Sequence, residues 1–557
     1  MKKIIRASLL ILLAAVLLAP RLADLAKFTA ADEPFWLAVG ANYYYALTHR
    51  EFENTVYEYH PAVTTMWIGA AAMLAYFPEY RGMMNGYFEQ EKTSFDKYLV
   101  EKGKDPLDLL WWARFFQTLL NVFLFLAAFL LLRFMLDEWT ALAALLLTSF
   151  APYLFGQSRM LNHESMVGLF SLLAVLSLTA YLFSKPQAGL LILSGASAAF
   201  ANLTKSSAIV LCAVAAAMVF VWAFVQWRET RKARWGDSLK VYFSWIGILL
   251  LVYFLSWPGM WVAPGKMLNE VYANAFSFAF QGAQISVTQE LQPSQFRLAS
   301  FGRDFGGFLI SIGWRTTPLT WLGLPAALGF LLHRERSLVP PLAKYAIAFL
   351  LLQTLAYIGV FSLAQGRNQP HYILGAHYGL EFCAALGWAF VLRRLGKPLQ
   401  WAGKPPAQYA LLAVLVFAQA FPLLQDAPYY FTYRNPLMSS IAGAPPAFFY
   451  GERMEEAAAY LAQKPGAADQ TALVYFGRSF SYYYPGRTLL FKPVLFEDKA
   501  QLVEELRQSD YLVVYAGLQK RLPLLQEMTP EYVIELRGAP YVEIYRVSDV
   551  PASFYNE

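Results

Sequence analysis

The chain has 557 residues, of which 57% are hydrophobic, 17% aromatic and 15% charged, with a net charge of +6 and a mean hydropathy of +0.37. Soluble domains carry about a quarter charged residues, so this composition excludes a wholly water-soluble protein and makes lipid the solvent for most of the chain. The modest positive charge is what basic cytoplasmic loops give a membrane protein, and it does not call for nucleic acid as a partner. Two cysteines, Cys212 and Cys383, fall in apolar runs, where a thiol behaves as a small hydrophobe, so no disulfide framework is encoded.

A membrane helix needs about 20 mostly apolar residues. Such runs are expected at 6–20, 108–133, 139–155, 165–183, 188–203, 206–227, 241–257, 313–332, 345–363, 372–392 and 409–424. The first follows Lys2, Lys3 and Arg6 and has small residues beyond it, as a cleaved signal would; we read it as an uncleaved span. Basic residues before it, Lys185, the group Arg228, Arg231, Lys232 and Arg234, the pair Arg334 and Arg336, and Arg393, Arg394, Lys397 and Lys404 all lie on one side by parity. The positive-inside rule makes that side cytoplasmic, with the N-terminus inside and eleven spans in all.

One further apolar run, 61–77, is bounded by Pro61 and Pro78. Counting it as a crossing would place the Arg228 to Arg234 cluster outside, so it is read as an interfacial or partly re-entrant helix. Residues 21–107 then form one long outer loop. Composition changes after Leu424: β-type runs at 471–476, 511–515, 532–536 and 541–545 alternate with helical patterns at 452–463 and 499–509. The expected organisation is a transmembrane catalytic domain, 1–425, followed by an extracytoplasmic α/β domain, 426–557.

A transporter would hide ionisable groups near the bilayer centre. Here they gather at the outer ends of spans and in outer loops. Asp32-Glu33 lies just beyond the first span, and a carboxylate near an acceptor hydroxyl can serve as general base; a solvated loop start or helix cap is the other reading. His60-Pro61 ends an aromatic approach, with Pro61 suited to the first turn of the next helix and His60 at the membrane surface. In Gly156-Gln157-Ser158-Arg159-Met160-Leu161-Asn162-His163-Glu164-Ser165, a helix would put Arg159 and His163 on one face with Glu164 close by. That group could bind phosphate through Arg159 or simply fix the loop. Arg114, Lys205, Arg367 and His371 are further candidates for a lipid-carrier phosphate, each equally able to snorkel toward headgroups.

No His-Glu-x-x-His site exists, since position 167 is Val167, and neither a Walker loop nor a dinucleotide glycine fingerprint is present. The motifs that are present resemble those of the GT-C fold membrane glycosyltransferases, specifically glycosyltransferase family 39, which includes the dolichyl-phosphate-mannose protein mannosyltransferases. Asp32-Glu33 is similar to the family's acidic pair in the first outer loop. His60-Pro61-Ala62 resembles its His-Pro-Pro, with Ala62 departing from the second proline. Arg159 and Glu164 resemble its arginine and acid five positions apart, with Glu in place of the commoner Asp. Leu203-Thr204-Lys205, Trp257-Pro258 and Gln369-Pro370-His371-Tyr372 extend the resemblance through about residue 392.

The resemblance implies an all-α GT-C membrane domain that transfers a mannose-like hexose, with inversion, from a polyprenyl-phosphate donor to an acceptor hydroxyl on the outer face. It implies Asp32 as base, with Glu33, His60, His163 and Glu164 orienting the substrates. Arg114, Arg159, Lys205, Arg367 and His371 would steady the leaving phosphate. The partners would be membrane lipid, the lipid-linked sugar and a protein, lipid or glycan acceptor; a divalent metal is left open. The alternative from another class is a polytopic transporter or lipid flippase. The aromatic loop 476–486 could stack sugar rings, touch the bilayer or pack within its domain.

Overall fold

In a computed structural model, the described residues are 2–57, 60–84, 86–88, 94–184, 186–231, 235–280, 298–333, 341–364, 369–396, 399, 401, 403–443 and 449–556. They cluster into two compact units. The first comprises Met1–Ala23, Tyr43–Ile68 and Phe115–Pro445; the second comprises Asp24–Asn42, Gly69–Arg114 and Pro446–Glu557.

The first unit is helical. Its elements and those leading into it are α1 (Lys2–Leu22), α2 (Glu33–His49), α3 (Val63–Tyr76), α4 (Ser94–Glu101), α5 (Pro106–Met135), α6 (Glu138–Ser149), α7 (Pro152–Gln157), α8 (Glu164–Phe183), α9 (Ala188–Thr204), α10 (Val210–Thr230) and α11 (Trp235–Ser256). Farther along come the helices Leu298–Arg315, Pro318–Leu332, Pro341–Leu363, Leu374–Leu395 and Pro405–Asp426. Among the described residues, six stretches are long and apolar enough to cross a membrane: Pro106–Met135, Glu164–Phe183, Ser206–Thr230, Trp235–Ser256, Pro341–Leu363 and Pro405–Asp426. The polytopic, mostly helical membrane character expected from composition therefore holds. Leu374–Leu395 matches them in length but carries His377 and Glu381 in its buried interior, where neighbouring helices rather than lipid surround it.

Two expected spans are interrupted. The run 139–155 divides into α6, with 12 residues, and α7, because Pro152 starts a new helix instead of continuing the old one. The run 313–332 straddles another break: one helix ends at Arg315, Thr317 accepts a hydrogen bond from the Thr320 backbone N–H, and Pro318 opens the next helix. The amphipathic helix Leu298–Arg315 was not expected from the sequence. Helix α3 has 14 residues, which rise about 21 Å, short of the roughly 30 Å of hydrocarbon. It begins at Val63, so Pro61 precedes the helix rather than occupying its first turn.

The second unit is built on a five-stranded sheet, β1 (Thr471–Val474), β2 (Arg487–Leu490), β3 (Tyr511–Tyr515), β4 (Tyr532–Leu536) and β5 (Ala539–Arg546), in the order β2-β1-β3-β5-β4. Strand β1 runs parallel to β2 and β3, and β5 antiparallel to β3 and β4. Arg537 and Gly538, at φ 57° and 73°, make the two-residue connection between β4 and β5, a primed turn that follows the natural twist of a hairpin. Strand β3 is buried along its whole length. Its alternate residues feed two cores: Val513 and Tyr515 pack with the helix Met454–Ala462, whereas Leu512 and Val514 pack with the helix Lys499–Arg507. Residues 426–443 cluster with the first unit, so the compact part of the tail begins at Pro446.

Candidate active site

In the second unit, Asp32 and Glu33 open α2, and their neighbouring carboxylates have different surroundings. Glu33 is 1% exposed. One oxygen accepts the Ala30 backbone N–H at 2.7 Å, and Arg114 engages both, with Nε 2.7 Å from Oε1 and Nη2 bonded to Oε2. The same guanidinium donates to the Leu25 and Phe28 carbonyls and lies over the Phe28 ring. Arg114, expected at the carrier phosphate, thus closes the loop 25–33 around Glu33.

Asp32 remains exposed. Its Oδ2 accepts the Tyr450 hydroxyl at 2.9 Å, and the Tyr450 carbonyl accepts the Ala31 N–H at 3.0 Å. Tyr450 is held in turn by Glu452, whose Oε2 accepts the Tyr450 N–H at 2.6 Å while Oε1 takes the Tyr541 hydroxyl. Gly451, at φ 98°, allows this turn; a Cβ there would lie 2.5 Å from both the Thr29 carbonyl and the Ser479 hydroxyl. Tyr450 therefore grips the loop before α2 at the residue expected to act as base. Sequence reading missed Tyr450, because a tyrosine more than four hundred residues away has no spacing that links it to Asp32.

The first unit holds another cluster. The stretch 156–165 is not one helix: α7 ends at Gln157, and α8 starts at Glu164, so Arg159 and His163 do not share a helical face. Asn162 explains the restart. Its Oδ1 accepts the N–H groups of Glu164 and Ser165 at 3.2 and 3.4 Å, and its amide donates to Gln157 Oε1 at 3.0 Å. This places a carboxylate in the first turn of α8, where the helix dipole favours it. Glu164 pairs with Lys205, the C-cap residue just after α9, and His163 Nε2 lies 3.4 Å from the same oxygen.

Lys205 also lies 4.7 Å from the Tyr372 ring centroid, and His371 packs against Tyr372 at 4.4 Å. His60 stands 5.0 Å from the His163 ring and 3.4 Å from the Ser206 hydroxyl. His60, His163, Glu164, Lys205 and His371 are thus brought into one group within this unit. Arg159 donates to the Ala23 carbonyl and sits over the Tyr430 ring. Arg367 lies outside the described residues. Trp257, buried at the end of α11, donates to Thr55 at 3.1 Å and ties that helix to the approach to His60.

The group combines a lysine, a carboxylate, three imidazoles and an aromatic ring. No three His, Cys, Asp or Glu side chains come together among the described residues as a metal group. Sequence reading missed Arg21, which is fully buried and donates to Ser158 and to the Leu17 and Ser149 carbonyls. Its place within α1 resembled that of an ordinary flanking charge.

Residues 41–257 match the family model described as Dolichyl-phosphate-mannose-protein mannosyltransferase. That match spans less than half of the chain. The match takes in His60, Arg114, Arg159, His163, Glu164 and Lys205, begins after Asp32-Glu33, and stops at Trp257, well before residue 392. No curated protein matches the chain. Among solved structures, ArnT from Cupriavidus metallidurans bound to undecaprenyl phosphate is similar at 13% identity and a TM-score of 0.48, covering 98% of this chain and 99% of that one. The apo oligosaccharyltransferase of Archaeoglobus fulgidus is similar at 12% identity and a TM-score of 0.45, covering 92% and 70%.

Proposed function

We propose that the protein transfers a mannose-like hexose from a polyprenyl-phosphate donor to an acceptor hydroxyl on the outer membrane face, with inversion. The N-terminus is assigned to the cytoplasm and the tail domain to the outside, following the charge of the loops. Asp32 carries the reading: it is an exposed carboxylate whose second oxygen is fixed by Tyr450, beside a Glu33 that Arg114 already occupies. One acid of the pair is available for protons, and the other maintains the loop.

In this reading Asp32 takes the proton from the acceptor hydroxyl as its oxygen bonds to the anomeric carbon. The bond from that carbon to the phosphate oxygen breaks, and its electron pair leaves with the polyprenyl phosphate. Lys205, Arg159 and His371 are assigned to the phosphate, with Arg367 as a further candidate, and His60, His163 and Glu164 to orientation. Glu164 supports this assignment by holding the Lys205 side chain in place before the donor arrives.

The test uses membranes containing the chain and radiolabelled polyprenyl-phosphate-mannose. Wild-type membranes should release polyprenyl phosphate as label passes to the acceptor; Asp32→Asn should abolish transfer, and Lys205→Met should raise the donor KM. Unchanged turnover in Asp32→Asn would refute the assignment of the base. Movement of donor across vesicles without release of phosphate would favour a flippase.

A further inference from the structure

Within the second unit, the segment from Asp96 to Pro106 and the aromatic loop from Ser481 to Gly486 line an open cavity of about 790 Å³, with Thr488 also in its wall. The volume falls in the range of about 300–1,000 Å³ usual for small-ligand sites. The cavity has its own chemistry. Asp96 is 8% exposed, and its Oδ1 has no hydrogen-bond partner among the described residues; the same holds for the buried hydroxyl of Thr488. A buried carboxylate oxygen left without a donor is costly and calls for one. Burial raises the proton affinity of Asp96 above the ordinary carboxylate range, opposed by the backbone N–H and charge of Lys97 and by the Ser481 hydroxyl.

The other walls narrow the ligand class. Tyr482, Tyr483 and Tyr484 line the cavity, giving apolar ring surface with polar tips. The charged lining comprises Asp96, Glu101 and Asp105 against Lys97 and Lys104, a formal balance of −1 that gives a phosphorylated or polyanionic ligand no advantage. Orphan acceptors, hydroxyls and tyrosine rings suit a molecule with many hydroxyl donors and apolar C–H faces. The cavity also adjoins the Asp32 environment: the Tyr483 hydroxyl lies 3.1 Å from Thr29 Oγ1, and burial together with the charges of Asp96 and Glu33 pushes the Tyr482 hydroxyl well above its usual range.

We propose that this cavity binds a short neutral saccharide of the acceptor through Asp96, Thr488 and the rings of Tyr482 and Tyr483. Calling that saccharide the acceptor rests on the glycosyl-transfer reading; its binding does not.

The experiment uses the full-length protein in lipid nanodiscs, with mannotriose, chitotriose and a Ser/Thr-rich peptide as probes, followed by ligand-observed saturation-transfer NMR. At least one trisaccharide should bind, with affinity about tenfold weaker in Asp96→Ala and in Thr488→Val, while donor hydrolysis to water is unchanged in both. Thr488→Val keeps the side-chain shape and decides the matter if Asp96→Ala does not fold. The proposal is overturned if neither trisaccharide binds the wild type, if only the peptide binds, or if both variants bind the sugar as tightly as wild type. Saccharide binding without any donor turnover would support the cavity while removing the glycosyl-transfer reading.

Discussion

Arg114 grips Glu33 with two arms, its Nε 2.7 Å from one carboxylate oxygen and its Nη2 on the other, and each side chain is 1% exposed. Removing one partner strands a buried charge, at a cost of about 3–5 kcal/mol. Arg114→Met should therefore lower the denaturant midpoint strongly in detergent micelles. Adding Glu33→Gln should restore part of the loss, but not all, because the Leu25 and Phe28 carbonyls still lack their donor. A double variant no better than Arg114→Met would show that the pair is not the unit that holds the loop.

Tyr450 and Asp32 make a prediction about rate. Asp32→Asn keeps the shape and the hydrogen bond to Tyr450 but removes the proposed base, so kcat should fall about 10²–10⁴-fold, the usual contribution of a positioned base. Tyr450→Phe removes one hydrogen bond to a charged group, worth about 1.5 kcal/mol or more, and should cost roughly tenfold in kcat with little change in donor KM. Initial rates at saturating donor distinguish the two. A Tyr450→Phe enzyme with wild-type kcat would mean that the hydroxyl does not position Asp32.

Local chemistry was legible in the sequence; distant pairing was not. The patterns at 511–515 and 532–536 match β3 and β4 residue for residue because runs of aromatic and β-branched residues are a local signal. Strand β2, Arg487–Leu490, follows directly on the aromatic loop and has a single β-branched residue, so its pattern does not stand out. The acidic pair, His60, Glu164 and Lys205 were recognisable as chemistry. That Glu33 is occupied by Arg114 while Asp32 is left exposed depends on contacts between segments 81 and 418 residues apart. The broken runs at Pro152 and Pro318 were readable in principle, since each proline marks a helix start, but hydrophobicity summed over a window hides a break that costs no hydrophobic residue.

The tail domain should have its own acid limit. Arg546 donates to Glu531 Oε2 at 2.6 Å, and Lys464 and Tyr460 bond to Oε1; the Arg546 bond first, then those from Lys464 and Tyr460, holds the carboxyl down at about 2. A carboxyl with a lowered folded-state pKa stabilises the fold above its ordinary value of 4.5, and that contribution is lost as pH falls through about 2. Unfolding followed through tyrosine fluorescence should show the wild type losing stability between pH 4.5 and 2. Glu531→Gln should start less stable at neutral pH and lose less across that window. Equal slopes for the two chains would remove Glu531 as the titrating group.

Ala62 stands at φ 49°, immediately before α3, and its carbonyl accepts the Met66 N–H at 2.9 Å. A left-handed conformation costs an alanine about 1–2 kcal/mol, whereas glycine adopts it freely. Part of that gain is offset by about 0.4–1 kcal/mol of extra freedom in the unfolded chain, so Ala62→Gly should stabilise slightly. Proline locks φ near −65° and cannot follow this backbone, which accounts physically for the departure from His-Pro-Pro at this position. Ala62→Pro should redirect the chain at His60, destabilise the fold by more than about 1 kcal/mol because the native φ is incompatible with the ring, and raise the donor KM if His60 orients the donor. Thermal unfolding of both variants, with donor KM measured alongside, checks this; an Ala62→Pro chain as stable and active as wild type would show that residue 62 does not require the left-handed turn.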